Sequence, residues 1–147
     1  EQPQEALQRY TESIERGPRF VEAYSALGRL YADLGYLDEA TRVLQSGLEV
    51  SMQGTEEEAN LHHLLGTVYQ GGEPPNYAQA IEEFKAALEI VPGMRDALFS
   101  LGWAYSMTDE REEARRFLKK FVDVAGGDAP SHYVKAARDR LGELGVN

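Results

Sequence analysis

Apolar residues recur three and four positions apart along nearly the whole chain, the rhythm of one buried helix face. Leu27, Leu30, Tyr31 and Leu34 make one such stripe. Gly35 and the pair Gly71-Gly72 interrupt the rhythm where a helix is expected to end, and Pro18 and Pro92 do the same further along. The stripes repeat. Ala26-Leu27-Gly28-Arg29-Leu30-Tyr31, Leu64-Leu65-Gly66-Thr67-Val68-Tyr69 and Ser100-Leu101-Gly102-Trp103-Ala104-Tyr105 all read Leu-Gly-x-x-Tyr, with glycines 38 and 36 residues apart. A second motif alternates with the first. It pairs Ala40 with Leu44, Ala80 with Phe84 and Ala114 with Leu118, and an earlier copy pairs Ala6 with Tyr10.

The two motifs predict a helical hairpin. A glycine inside a helix costs about 1 kcal/mol against alanine. Three such glycines at matching places imply that a second helix crosses close by. The small alanines supply the other side of that crossing, and the large residue four positions on fills the adjacent gap. Ser51 to Glu58 lengthens one connection, and Thr55 with Glu58 has the spacing of a capping box. Gly71 to Asn76 lengthens a turn; its prolines predict an extended, exposed path, and Asn76 with Gln79 is placed to start the next helix.

These residues resemble the tetratricopeptide repeat, in a bacterial-type form, over nearly the whole chain. Departures are Tyr24, His62 and Leu98 at the family's Trp position, the lack of a closing Pro near Met52, and Phe121 where a small residue is usual. The resemblance implies an all-α fold, a right-handed superhelical solenoid of antiparallel helix hairpins with about eight helices. A single domain over 1–147 is expected, divided into a half repeat at 3–17, repeats at 20–52, 57–92 and 94–125, and a C-terminal capping helix at 129–145. Residues 3–16 read as the second helix of a hairpin whose first helix is absent. The stripe Ala6, Tyr10, Ile14 then lacks a neighbour, so a homodimer through this open half repeat is one expectation. Asp128-Ala129-Pro130 reads as the start of the closing helix. That helix presents Tyr133, Ala137, Leu141 and Leu144 inward and Lys135, Arg138, Asp139, Arg140 and Glu143 to water, and Gly145 stops it.

The resemblance further implies a protein or peptide partner in a concave groove lined by the first helix of each hairpin. The partner-binding residues it selects are Arg29, Asn60, His63, Thr67, Gln70, Phe99, Trp103 and Ser106, alongside Glu22, Ser25, Ala32 and Asp96. Phe99 and Trp103 stand one turn apart, and Trp103 is the only Trp. They are either a groove anchor or the seat of the closing helix. A chaperone carboxylate clamp is not expected, because Ser25, Arg29, His63, Leu64 and Thr67 offer a single cation at the matching places.

Charge and composition narrow the remaining options. The net charge is −10, which repels phosphate backbones and anionic surfaces, so neither nucleic acid nor membrane insertion is expected. The acidity reads first as a means to solubility and, more sharply, as preference for a basic peptide partner. There is no Cys, which suits cytoplasm or periplasm alike. Glu1-Gln2-Pro3-Gln4 carries no leader pattern. Adjacent His62 and His63 diverge by about 100° on a helix and do not predict a metal site. No cofactor and no catalytic site are expected, for no phosphate loop, Gly-x-Ser-x-Gly or His-Glu-x-x-His occurs. The alternatives to a peptide-binding scaffold are a self-association module and the regulatory arm of a larger enzyme.

Overall fold

The computed structural model describes residues 3–125 and 131–145. Among these the secondary structure is eight α-helices: α1 (Pro3–Arg16), α2 (Val21–Asp33), α3 (Leu37–Val50), α4 (Glu56–Gln70), α5 (Tyr77–Ile90), α6 (Arg95–Met107), α7 (Arg111–Ala125) and α8 (Ser131–Glu143). The Asp128-Ala129-Pro130 helix start lies outside the described residues. Each helix packs on its chain neighbours, and α2, α4, α6 and α8 also form a row of their own.

The repeated glycines sit where the helices of a hairpin cross. A Cβ built on Gly28 would lie 2.5 Å from the Leu44 side chain. On Gly66 it would lie 2.6 Å from the Phe84 ring, and on Gly102 it would lie 2.8 Å from Leu118 Cγ. Ala40, Ala80 and Ala114 are completely buried beside these crossings, as are Leu44, Phe84 and Leu118. Each hairpin is thus locked by one large side chain filling the space above a bare backbone. Phe121 is buried too, in edge-to-face contact with Phe99 at 5.2 Å. The departure at Phe121 therefore changes the packing between α6 and α7.

Local chemistry sets the helix ends. After α2 the chain turns through Gly35 at φ 82°, with Tyr36 N–H donating to Tyr31 O at 2.8 Å and Gly35 N–H to Ala32 O at 3.0 Å. The same reversal follows α6 with Asp109 at φ 61°, and Glu110 N–H donates to Tyr105 O at 3.0 Å. Leu34, expected on the buried stripe, instead ends α2 and is 38% exposed. Thr55 Oγ1 accepts from Glu58 N–H at 3.3 Å, while the Glu58 carboxylate reaches back to Gly54 N–H at 2.6 Å. This closes a capping box displaced by one residue. Asn76 Oδ1 accepts from Gln79 N–H at 3.2 Å and starts α5. The turn before it, Glu73 to Asn76, is exposed, and its Glu73–Pro74 peptide is cis.

The crossing makes a sharp prediction. Alanine ordinarily gains about 1 kcal/mol over glycine inside a helix. At Gly66 the added methyl would meet a ring that is completely buried and cannot swing away. Gly66→Ala is expected to destabilise the fold by about 1–3 kcal/mol, read as a lower urea midpoint at unchanged slope.

Candidate functional site

The row α2, α4, α6 presents a face opposite its glycines, and the residues there differ from repeat to repeat. At its N-terminal end lies a cavity of about 480 Å³. Its apolar wall is Ala6 and Tyr10 of α1 with Ala26 and Leu30 of α2. Its polar wall is Glu22, Ser25, Arg29 and Asp33 of α2 with Glu57 and Asn60 of α4. Three carboxylates thus surround one guanidinium, leaving the cavity mouth net negative. Arg29 is exposed and Asn60 half-buried. Ser25 is nearly closed off, at 9% exposure, so it forms floor more than contact surface.

Thr67, next along, is exposed and donates its hydroxyl to His63 O at 3.0 Å. Gln70 stands half-buried in the last turn of α4. His63 is half-buried, its ring 5.7 Å from that of Phe84 and its Nε2 3.3 Å from Ser100 Oγ. It therefore braces α4 against α6. Desolvation is the main cause that lowers its pKa below the ordinary 6.5; nearby Asp96 opposes the shift and Arg29 adds to it. His62 turns the other way, with Nδ1 2.7 Å from Glu83 Oε2 of α5. Among the described residues no three His, Asp or Glu side chains converge to hold a metal ion.

Helix α8 partly covers the C-terminal end of the row, leaving Phe99 and Trp103 half-buried and Tyr133, expected inward, 45% exposed at the rim. Tyr133 of α8 packs edge-to-face on Phe99 at 5.1 Å, and Phe99 stacks on Trp103 at 5.9 Å. Arg140 lies over the Trp103 ring at 5.9 Å and donates to Ser106 O at 3.0 Å, meeting the C-terminal end of α6 where a cation suits the helix dipole. Arg140 was expected in water; it is half-buried because this contact draws it inward. Ser106 is buried and donates its hydroxyl to Trp103 O at 2.7 Å, so it offers nothing to the groove. Arg115 of α7 donates to Leu144 O, tying the far end of α8 down. The structure thus brings Arg29 and Asn60 together at the cavity, leaves Thr67 exposed and Gln70 half-buried further along α4, and packs Phe99 on Tyr133 and Trp103 under Arg140, with Ser106 buried beside them. Tyr10, Glu57 and Asp33 also line the cavity, though spacing within one helix gave no sign of it.

A stack of helix hairpins is an all-α solenoid, an architecture that presents extended surface to other proteins. Residues 1–49 and 75–137 match models described as tetratricopeptide repeat, and the chain belongs to that family of protein-interaction scaffolds. Solved structures agree in fold. A crystal structure of MamA superposes with TM-score 0.75 at 20% identity, covering 95% of this chain and 77% of that one. The crystal structure of BtubC (BKLC) from P. vanneervenii gives TM-score 0.84 at 16% identity, covering 97% of this chain and 65% of that one. A MamA RS-1 ArsTM double mutant gives TM-score 0.73 at 20% identity over 97% of this chain and 83% of that one. No protein of curated function matches the sequence. Among the described residues no helix is long and apolar enough to cross a membrane.

Two predictions follow from this end-to-end contrast. Removing Arg140 leaves the buried Ser106 carbonyl without its donor, at a cost of about 1–3 kcal/mol. Arg140→Ala should therefore loosen α8 and red-shift the emission of Trp103, the only Trp, before global unfolding. The second concerns acid. A folded-state pKa below the ordinary 6.5 means that neutral His63 stabilises the fold fully above about pH 6.5. That contribution is lost as pH falls from there through the lowered value. The thermal midpoint of the parent chain should drop further between pH 7.5 and 5.5 than that of His63→Gln, measured in parallel.

Proposed function

We propose that the concave face of α2 and α4 holds a basic peptide or partner helix. The observation that carries this reading is the polar wall of the 480 Å³ cavity, where Glu22, Asp33 and Glu57 stand around Arg29 and Asn60. A lysine or arginine of the partner would meet the carboxylates there. Arg29 would take a carbonyl or carboxylate of the same partner, and Asn60, Thr67 and Gln70 would hydrogen-bond its backbone. His63 acts beneath them as the brace that fixes α4 against α6. Phe99, Trp103 and Ser106 belong to the seat of α8 and not to the contact surface in this reading. The domain is then a binding module whose repeated residues build the stack and whose variable residues select the partner.

The reading is tested with a library of basic helical and extended peptides screened by fluorescence anisotropy. A binder should lose about tenfold or more in affinity against Glu22→Lys/Glu57→Lys, and weaken with added salt. Phe99→Leu should leave it unchanged. Binding that ignores the charge reversal would place the partner elsewhere on the molecule.

A further inference from the structure

Helices α1, α3, α5 and α7 make no close contact with one another. Each successive pair therefore leaves a furrow, and a tyrosine of the helix between them lies in it: Tyr31, Tyr69 and Tyr105. What fills the furrow depends on the residue three positions after the buried alanine of the second wall: Val43, Glu83 or Phe117. In the middle furrow Glu83 Oε2 meets His62 Nδ1 at 2.7 Å. In the last, the Phe117 ring stacks on Tyr105 at 5.8 Å with an interplanar angle of 23°, and Tyr105 is left 8% exposed. In the first furrow Val43 is too short to do either. A second cavity of about 330 Å³ remains there, and Tyr31 is only half-buried.

The first and last furrows otherwise match residue for residue at a separation of 74. Ile14, Leu27 and Tyr31 correspond to Leu88, Leu101 and Tyr105. Arg42, paired with Glu39 at 3.2 Å, corresponds to Arg116, paired with Glu113 at 3.4 Å. Arg116 lies over the Phe117 ring at 5.4 Å. The chain thus carries one complete aromatic seat and one copy of that seat without its ring. Beside the empty copy stands Tyr36, 55% exposed and edge-on to Tyr31 at 6.3 Å.

We infer that the cavity between α1, α2 and α3 receives an aromatic side chain of a protein partner, stacked on Tyr31 beneath Arg42, with a lysine or arginine beside it in the partner's sequence. The ring face suits the Arg42 guanidinium, as Phe117 suits Arg116. Charge sets the neighbouring residue. Lys85 and Lys120 of the filled furrow are replaced by Thr11 and Ser46, while the carboxylate of Glu89 is retained as Glu15. Counting Glu39 and Glu113 with their arginines, the rim changes from a formal +1 to −1, so a cation is favoured next to the ring. The site goes beyond the groove reading and does not rest on it. Leu27 and Tyr31 each stand two residues from Arg29, about 200° round α2, and so face away from the 480 Å³ cavity.

The test titrates the isotope-labelled chain with N-acetyl-Phe-Lys-amide and, in parallel, N-acetyl-Leu-Lys-amide, followed by amide chemical shifts. The aromatic probe should move the amides of Ile14, Tyr31 and Val43 at up to ~10 mM, a weak affinity suited to so small a ligand. The leucine probe should leave them in place. Val43→Phe supplies the missing ring from within, so the variant should melt at or above the parent temperature and lose about tenfold or more in affinity for the probe. No movement of these amides with the aromatic probe overturns the inference, and so does equal movement with leucine. A Val43→Phe chain that melts well below the parent overturns it too, since the furrow then has no room for a ring.

Discussion

The close approach of two helix backbones at a glycine is the contact on which this architecture depends. A side chain as small as alanine at Gly28, Gly66 or Gly102 would collide with the leucine or phenylalanine that fills the crossing. The crossing fixes the separation and rotation of each hairpin. Rotation in turn decides which residues of α2, α4 and α6 face the second helix and which are left over. The remaining face packs in places, as at His63 and Phe99, and elsewhere carries Arg29 and Asn60 in one place and Thr67 in another.

The two ends of the stack solve the exposure of the last helix face differently. At the C-terminal end α8 is held by Arg140 on the Ser106 carbonyl, Arg115 on the Leu144 carbonyl and Tyr133 on Phe99. These polar and aromatic fastenings add to the apolar packing of Ala137, Leu141 and Leu144, which are buried in the same core as α6 and α7. At the N-terminal end Tyr10 lies over open space. The acidic excess lies over α4 to α6, while cations collect on α7 and α8.

Much of this was legible in the sequence because it is local and repeated. The Leu-Gly-x-x-Tyr segments located the crossings, and Thr55 and Asn76 announced the starts of α4 and α5 through side chains three residues from their partners. The divergence of His62 and His63 followed from helix geometry alone. What escaped depends on contacts between distant segments. Asp109 adopts the left-handed turn that Gly35 marks openly, and an aspartate gives only a faint signal of it. Spacing left Phe99 and Trp103 open to two roles, because their surroundings are set by Tyr133 and Arg140, some thirty residues further on. Ser106 looked like a groove residue by position, yet its last-turn location lets its hydroxyl bond backward to Trp103 O. Arg140 looked solvated for the same reason that Ser106 looked free: the docking of α8 on α6 cannot be read from either helix by itself.

Helix α1 differs from the others in having no fully buried residue. In such a stack stability is largely a sum of interfaces between adjoining elements, and an element without a buried residue opens at the lowest cost. Opening α1 alone would uncover Tyr24, whose hydroxyl donates to Pro18 O at 3.0 Å, without disturbing α4 or anything beyond it. The molecule is therefore graded in rigidity along its length. Amide protons of α1 should exchange by local opening, while those beside Phe84 and Leu101 wait for the whole stack to come apart.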